Sequence, residues 1–234
     1  MIEPRFFDDV LPVEPVSHSG LDVHSLTSVR LPAVIFVHGG PVPEGSSPKD
    51  SEMYRGYGSL AARSGLVGVT FNHGLHSDAH FPQAADNLAA AVERVRGLDT
   101  VDPGRILLWH FSAGGALSAA WLREPPDWLR GIALTYPALA APPNWPGDAP
   151  RFDAVSAVSK HPALPKLLTR VDGELEFLSE TQDAFTAAAR AVDADLEVLE
   201  VGKAPHGFET QGPHADGRAA VDRAMSWVAA TLTR

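Results

Sequence analysis

A serine held on a turn, a histidine that takes its proton and a carboxylate that orients the histidine can together cleave an acyl bond, and this chain carries candidates for each. Ser112 lies in Trp109-His110-Phe111-Ser112-Ala113-Gly114-Gly115. The apolar run Arg105-Ile106-Leu107-Leu108-Trp109 before it reads as a buried strand, and Ala116-Leu117-Ser118-Ala119-Ala120-Trp121-Leu122 after it is rich in helix formers. A serine on such a strand-to-helix turn has a strained backbone and an outward-facing Oγ. The first amides of the helix face the point where an oxyanion would develop. Gly114 and Gly115 are expected where strand and helix pass close together, leaving little room for a Cβ. The candidate base is His206, in Lys203-Ala204-Pro205-His206-Gly207-Phe208-Glu209. Three carboxylates, Asp172, Glu174 and Glu176, crowd the turn after the run 167–171. Any of them could accept the Nδ1 proton of His206, fixing its tautomer and stabilising the imidazolium.

These residues need a frame that brings them to one edge. Ala33-Val34-Ile35-Phe36-Val37 is apolar and β-branched without alternation, which predicts a strand covered on both faces; it ends in His38-Gly39-Gly40-Pro41. Further strands are predicted at 65–71, 105–109, 131–136, 167–171 and 196–201, and helices at 53–63, 82–96, 181–192 and 217–232. Residues 1–30 read as edge strands or a meander. The proline-rich stretch 138–165 reads as irregular, with at most one short helix near 154–159. Strand and helix alternate, so the expected fold class is α/β: one domain over 1–234, with a mostly parallel sheet between helices and right-handed crossovers. His38-Gly39-Gly40, Ser112, the three acids and His206 all follow predicted strands, and ligands bind at the carboxyl ends of strands in such sheets.

The turn around Ser112 resembles the nucleophile elbow of the α/β-hydrolase family, Gly-x-Ser-x-Gly, with His110 in place of the first glycine. Pro205-His206-Gly207-Phe208 resembles the family's histidine loop, and the chain order serine, acid, histidine is the family's order. Phe81-Pro82-Gln83-Ala84-Ala85-Asp86-Asn87-Leu88 and Asp102-Pro103-Gly104-Arg105-Ile106 resemble the helix and lead-in before the elbow strand. The similarity is closest to the compact dienelactone-hydrolase and esterase branches, with no insertion long enough for a large cap domain. It implies a serine hydrolase acting on an ester of a small or medium carboxylic acid. It also implies an oxyanion hole made by the Ala113 amide and one from the His38-Gly39-Gly40-Pro41 loop. Pro41 has no N–H, which leaves Gly40 as second donor and Gly39 in reserve. Laid over the Val-Gly-x-Glu pattern of compact relatives, Glu174 is the expected acid, with Glu176 and then Asp172 as alternatives. His110 is expected to be tolerated rather than catalytic, its ring turned out of the turn. A lactone or dienelactone hydrolase, a peptidase with the same triad and a non-catalytic binding protein on this fold are the competing readings.

Composition limits the partners. A formal net charge of −10 argues against nucleic acid and anionic membrane surfaces. The absence of cysteine excludes disulfides, thiolate metal sites and a cysteine nucleophile. The first nine residues have neither a basic start nor a long apolar stretch, so no leader or membrane span is expected and the default location is cytoplasmic. His73, His76 and His80 lie close together, but no third ligand is evident and Pro82 opposes a helix through them, so no metal and no cofactor are expected. His38, Gly39 and Trp145 are candidate walls of the substrate pocket. The expected partner is a small-molecule substrate, with a second copy of the chain, as a homodimer, the one protein partner considered.

Overall fold

A computed structural model describes residues 5–141, 145 and 147–234. The chain's first four residues, and Pro142, Pro143, Asn144 and Pro146 beside Trp145, lie outside the described residues. Strands β1 (Val16–His18) and β2 (Leu21–His24) form an antiparallel hairpin, and β2 pairs antiparallel with β4 (Val67–Phe71). From there the sheet is parallel through β3 (Leu31–Val37), β5 (Val101–Phe111), β6 (Leu129–Thr135), β7 (Lys166–Gly173) and β8 (Leu196–Pro205). The order across the sheet is β1-β2-β4-β3-β5-β6-β7-β8.

The unbroken apolar run in β3 has a direct cause. Val34 and Phe36 pack with Tyr54, Tyr57, Val221 and Val228 under helices α1 (Glu52–Arg63) and α6 (Ala215–Thr233). Ile35 and Val37 pack on the opposite face with Leu88 and Val92 of α2 (Phe81–Arg96), Leu122 of α3 (Ala119–Arg123) and Phe185 of α5 (Glu176–Arg190). Each face therefore carries its own apolar core, and no solvent face exists to impose alternation. The short helix expected near 154–159 is α4 (Ala154–Ala157).

Two elements depart from the sequence reading in ways that affect the site. The segment after Ser112 is a 3-10 helix over Ser112–Ser118 before it becomes α3. Its early carbonyls are met by side chains: His110 Nδ1 donates to the Gly114 carbonyl at 2.9 Å and Ser118 Oγ to that of Gly115 at 2.6 Å. Those carbonyls would otherwise serve the α-helical ladder. Helix α5 begins at Glu176, five residues before the predicted start, because Leu178, Thr181, Gln182, Phe185 and Ala189 form one buried face. Glu176 thus sits in a first helical turn, not in the turn after β7.

Candidate active site

Ser112 follows β5 with φ at +49°, a left-handed conformation that costs a non-glycine residue about 1–3 kcal/mol. The tight approach there comes from neighbouring loops, not from the strand and helix of the turn itself. A Cβ on Gly114 would collide with the His38 carbonyl, and one on Gly115 with Pro137 and the Ala138 carbonyl. Small residues are required because three strand ends converge on the elbow.

Ser112 Oγ lies 2.8 Å from His206 Nε2, and His206 Nδ1 lies 2.8 Å from Glu174 Oε1. The Glu174 side chain is 3% exposed, against 26% for His206. Glu174 also accepts from the Leu175 amide at 2.8 Å and from Gln182 Nε2 at 3.1 Å, so both its oxygens are anchored before His206 is counted. The two alternative acids are elsewhere: Asp172 is exposed and accepts from the Lys203 amide at 3.0 Å, and Glu176 is exposed on α5. Glu174 reaches the histidine because β7 ends at Gly173, where β7 and β8 still pair through Gly173 and Pro205.

The amides around the serine are not equivalent. Ala113 lies in the first turn of the 3-10 helix, where N–H groups lack an intrahelical acceptor. The Gly40 amide makes no hydrogen bond among the described residues. The Gly39 amide, the reserve donor, instead donates to the Tyr54 hydroxyl at 3.2 Å. A cavity of about 970 Å³ opens beside these loops, bordered by Val42, Met53, Tyr54, Glu209 and Gln211.

Of the candidate pocket walls, His38 does not line the cavity. Its ring is buried, stacked at 3.5 Å on His73, and Nδ1 donates to the Gly39 carbonyl. Trp145 packs edge-on against Phe81 and Phe152, and its Nε1 donates to the Asp78 carbonyl at 3.2 Å, away from that cavity. Neighbouring histidines are used locally: His76 bonds to the Val42 carbonyl at 3.0 Å and His80 to Ser77 at 2.9 Å.

His110 is more than tolerated. Its ring does leave the catalytic side of the turn, but it then braces the elbow from below through the Gly114 carbonyl. Burial pushes its pKa down to about 4, and does the same to His38. Both rings are therefore neutral at neutral pH, as their single donated hydrogen bonds require. The unfolded state binds protons at these positions near pH 6.5 while the folded state does not. Stability should thus be full above pH 6.5 and decline as the pH falls towards 4. His110→Gly should lower the melting free energy by about 3 kcal/mol through the lost bond and the cavity. His110→Asn, which can keep a donor to Gly114, should recover part of that loss and flatten the acid decline. Thermal melts across pH 4–8 test this; a glycine variant as stable as the parent would remove the brace.

Residues 21–122 match the BD-FAE family model, an esterase-type family of α/β-hydrolases. The match spans the Gly39-Gly40 loop and Ser112 but stops before Glu174 and His206. No curated protein sequence matches the chain. Among solved structures, a thermostable esterase from Pseudomonas putida aligns with a TM-score of 0.75 and 20% identity, covering 98% of this chain and 86% of that one. A thermophilic carboxylesterase cloned from a metagenomic library aligns at 0.69 and 22% identity, covering 99% and 91%. An esterase of Thermogutta terrifontis, phosphoramylated by tabun in its structure, aligns at 0.69 and 18% identity, covering 94% and 92%. The chain has the α/β-hydrolase fold, in a compact form whose described helices include none long and apolar enough to cross a membrane.

Residues that sequence reasoning did not single out also border the site. Tyr54 and Tyr57 share one face of α1, Tyr136 follows β6 at φ +37°, and Glu209 lies three residues after His206. The tyrosine spacing on α1 was readable as a helix face, but its contact with a carboxylate 152 positions later was not.

Proposed function

We propose that the protein is a serine hydrolase that cleaves an ester of a small or medium carboxylic acid through an acyl-enzyme on Ser112. The observation that carries this reading is the continuous hydrogen-bonded chain Ser112–His206–Glu174, each link 2.8 Å long. His206 takes the serine proton as Oγ attacks the carbonyl, and Glu174 holds the tautomer that leaves Nε2 free to accept it. The amides of Ala113 and Gly40 receive the oxyanion, a role supported by their lack of other partners. His206 then protonates the leaving alcohol and activates the water that releases the acid. The cycle uses side chains and backbone amides alone. The cavity beside Tyr54 supplies room for one limb of the substrate. We assign the protein a small-molecule ester in the cytoplasm, the acidic composition speaking against nucleic-acid and anionic-membrane partners.

The test is covalent labelling. A fluorophosphonate should add one mass label to the wild-type protein, on Ser112, and none to Ser112→Ala. A label on another residue, or no label on a folded wild-type protein, would overturn the reading.

A further inference from the structure

Beneath the histidine lies a second buried carboxylate that the proposed cycle does not use. Glu209 is 5% exposed. The Tyr57 hydroxyl donates to its Oε1 at 2.7 Å and the Tyr136 hydroxyl to its Oε2 at 2.8 Å. The Tyr136 ring in turn packs on the His206 imidazole, with centroids 4.6 Å apart and planes tilted by 55°. Three segments distant in sequence, α1, the end of β6 and the histidine loop, thus meet at one carboxylate.

Proton counting gives the charge state. Both phenols are held protonated by burial first and by the nearby Glu209 charge as well. Among the described residues, Glu209 is the only acceptor for either hydroxyl proton. A carboxylate accepts both without conflict. A protonated Glu209 would have to donate to one tyrosine, whose own proton would then have no acceptor. Burial raises the carboxyl pKa above its ordinary value, while the two hydroxyls and its own amide hold it down. The other ionisable groups acting on the network are Tyr54 from α1, His206 on the same loop and Arg218 of α6.

Holding a carboxylate in the interior is costly, and a pair of tyrosines could tie these elements to one another far more cheaply. Tyr136 also adopts φ +37°, a strained conformation for a bulky residue, in order to present its ring where it does. The strained Tyr136 lies against the imidazole, and the buried charge lies one hydrogen bond behind it. We propose that Glu209, clamped by Tyr57 and Tyr136, is a positioning residue for ester hydrolysis: it fixes the Tyr136 ring against His206 and adds a second negative charge that favours the imidazolium formed as Ser112 loses its proton. This rests on the serine-hydrolase reading with His206 as base. The proton still moves only from Ser112 Oγ to His206 Nε2; Glu209 neither gains nor loses one.

The sign of the effect follows from the charge. Removing a negative charge near an imidazole disfavours its protonated form, so the base remains competent to lower pH while its protonated state in the reaction becomes harder to reach. Glu209→Gln should lower kcat/KM by about tenfold and shift the acid limb of its pH profile down by about half a unit. KM should change little, because both Glu209 oxygens are turned onto the tyrosines and glutamine keeps the side chain's size where it borders the cavity. Tyr136→Phe, which keeps the ring and the Glu209 charge and removes only the donor, should lower kcat/KM by less and leave the acid limb in place. A folded Glu209→Gln that loses activity with the acid limb unmoved would overturn the proposal, since a purely structural role predicts that result. If the glutamine variant does not fold, a folded Tyr136→Phe with unchanged kcat/KM, or with a shifted acid limb, overturns it instead. A wild-type protein that neither hydrolyses esters nor takes the fluorophosphonate label would instead overturn the serine-hydrolase reading and this proposal with it.

Discussion

Ser112→Ala should reduce ester turnover by about a million-fold while leaving the melting temperature within a few degrees of the wild-type value. The size of the loss follows from how the site is arranged. His206 has its Nε2 acceptor aimed at Ser112 Oγ at 2.8 Å and nowhere else. Without the hydroxyl, the base and its carboxylate have no proton to move, and the residual rate over water would come from substrate binding and the proposed oxyanion amides. The fold should survive because alanine fits where serine stood and the Ser112 carbonyl, which accepts from the Ala138 amide at 2.9 Å, is untouched. Alanine at φ +49° keeps the same backbone strain, so no large gain in stability is expected either. Turnover of a p-nitrophenyl ester, measured alongside thermal melts, checks both halves. Activity within tenfold of the wild type in a folded variant would mean that another group attacks the carbonyl.

The parts of this molecule that were legible in its sequence are those written in local pattern. The β3 run showed a strand covered on both sides because five consecutive apolar residues admit no solvent face. The serine on its turn, the His-Gly-Phe loop and the paired glycines were legible because strand, turn and helix chemistry are short-range. The crowding that demands Gly114 was not, because the colliding carbonyl belongs to His38, just past the end of β3, which is distant in sequence and adjacent only through the sheet. The role of Tyr54 in occupying the Gly39 amide, the His38–His73 stack and the Tyr57–Glu209–Tyr136 clamp are likewise long-range pairings between polar groups. Burial makes such pairings specific, but periodicity does not encode them. His110 lies between these cases. Its departure from the family's glycine was visible; its bond back to the turn was not, since Nδ1 reaches only four residues ahead and only in this backbone conformation.

Glu174→Gln should lower turnover by about four orders of magnitude, whereas Glu176→Gln and Asp172→Asn should each leave it within about twofold. Spacing alone could not rank the three acids, because all lie within a few residues of the end of β7. Surroundings separate them. Glu174 is the only one of the three that is nearly sequestered, its Oε2 held by Gln182 and its Oε1 shared between the Leu175 amide and His206. An amide at 174 would have to choose which group to disappoint. With its oxygen towards His206 it turns its NH2 onto Gln182, donor against donor; with its NH2 towards His206 it stabilises the tautomer whose proton sits on Nε2, and Ser112 then faces a donor where it needs an acceptor. Either outcome withdraws the negative charge that the imidazolium needs in the transition state. Glu176→Gln alters only an exposed side chain in the first turn of α5, and Asp172→Asn keeps an acceptor for the Lys203 amide. Steady-state kinetics of the three variants on one ester, with circular dichroism to confirm folding, separate these expectations. A deep loss at 172 or 176 with turnover preserved at 174 would move the acid of the triad to that residue.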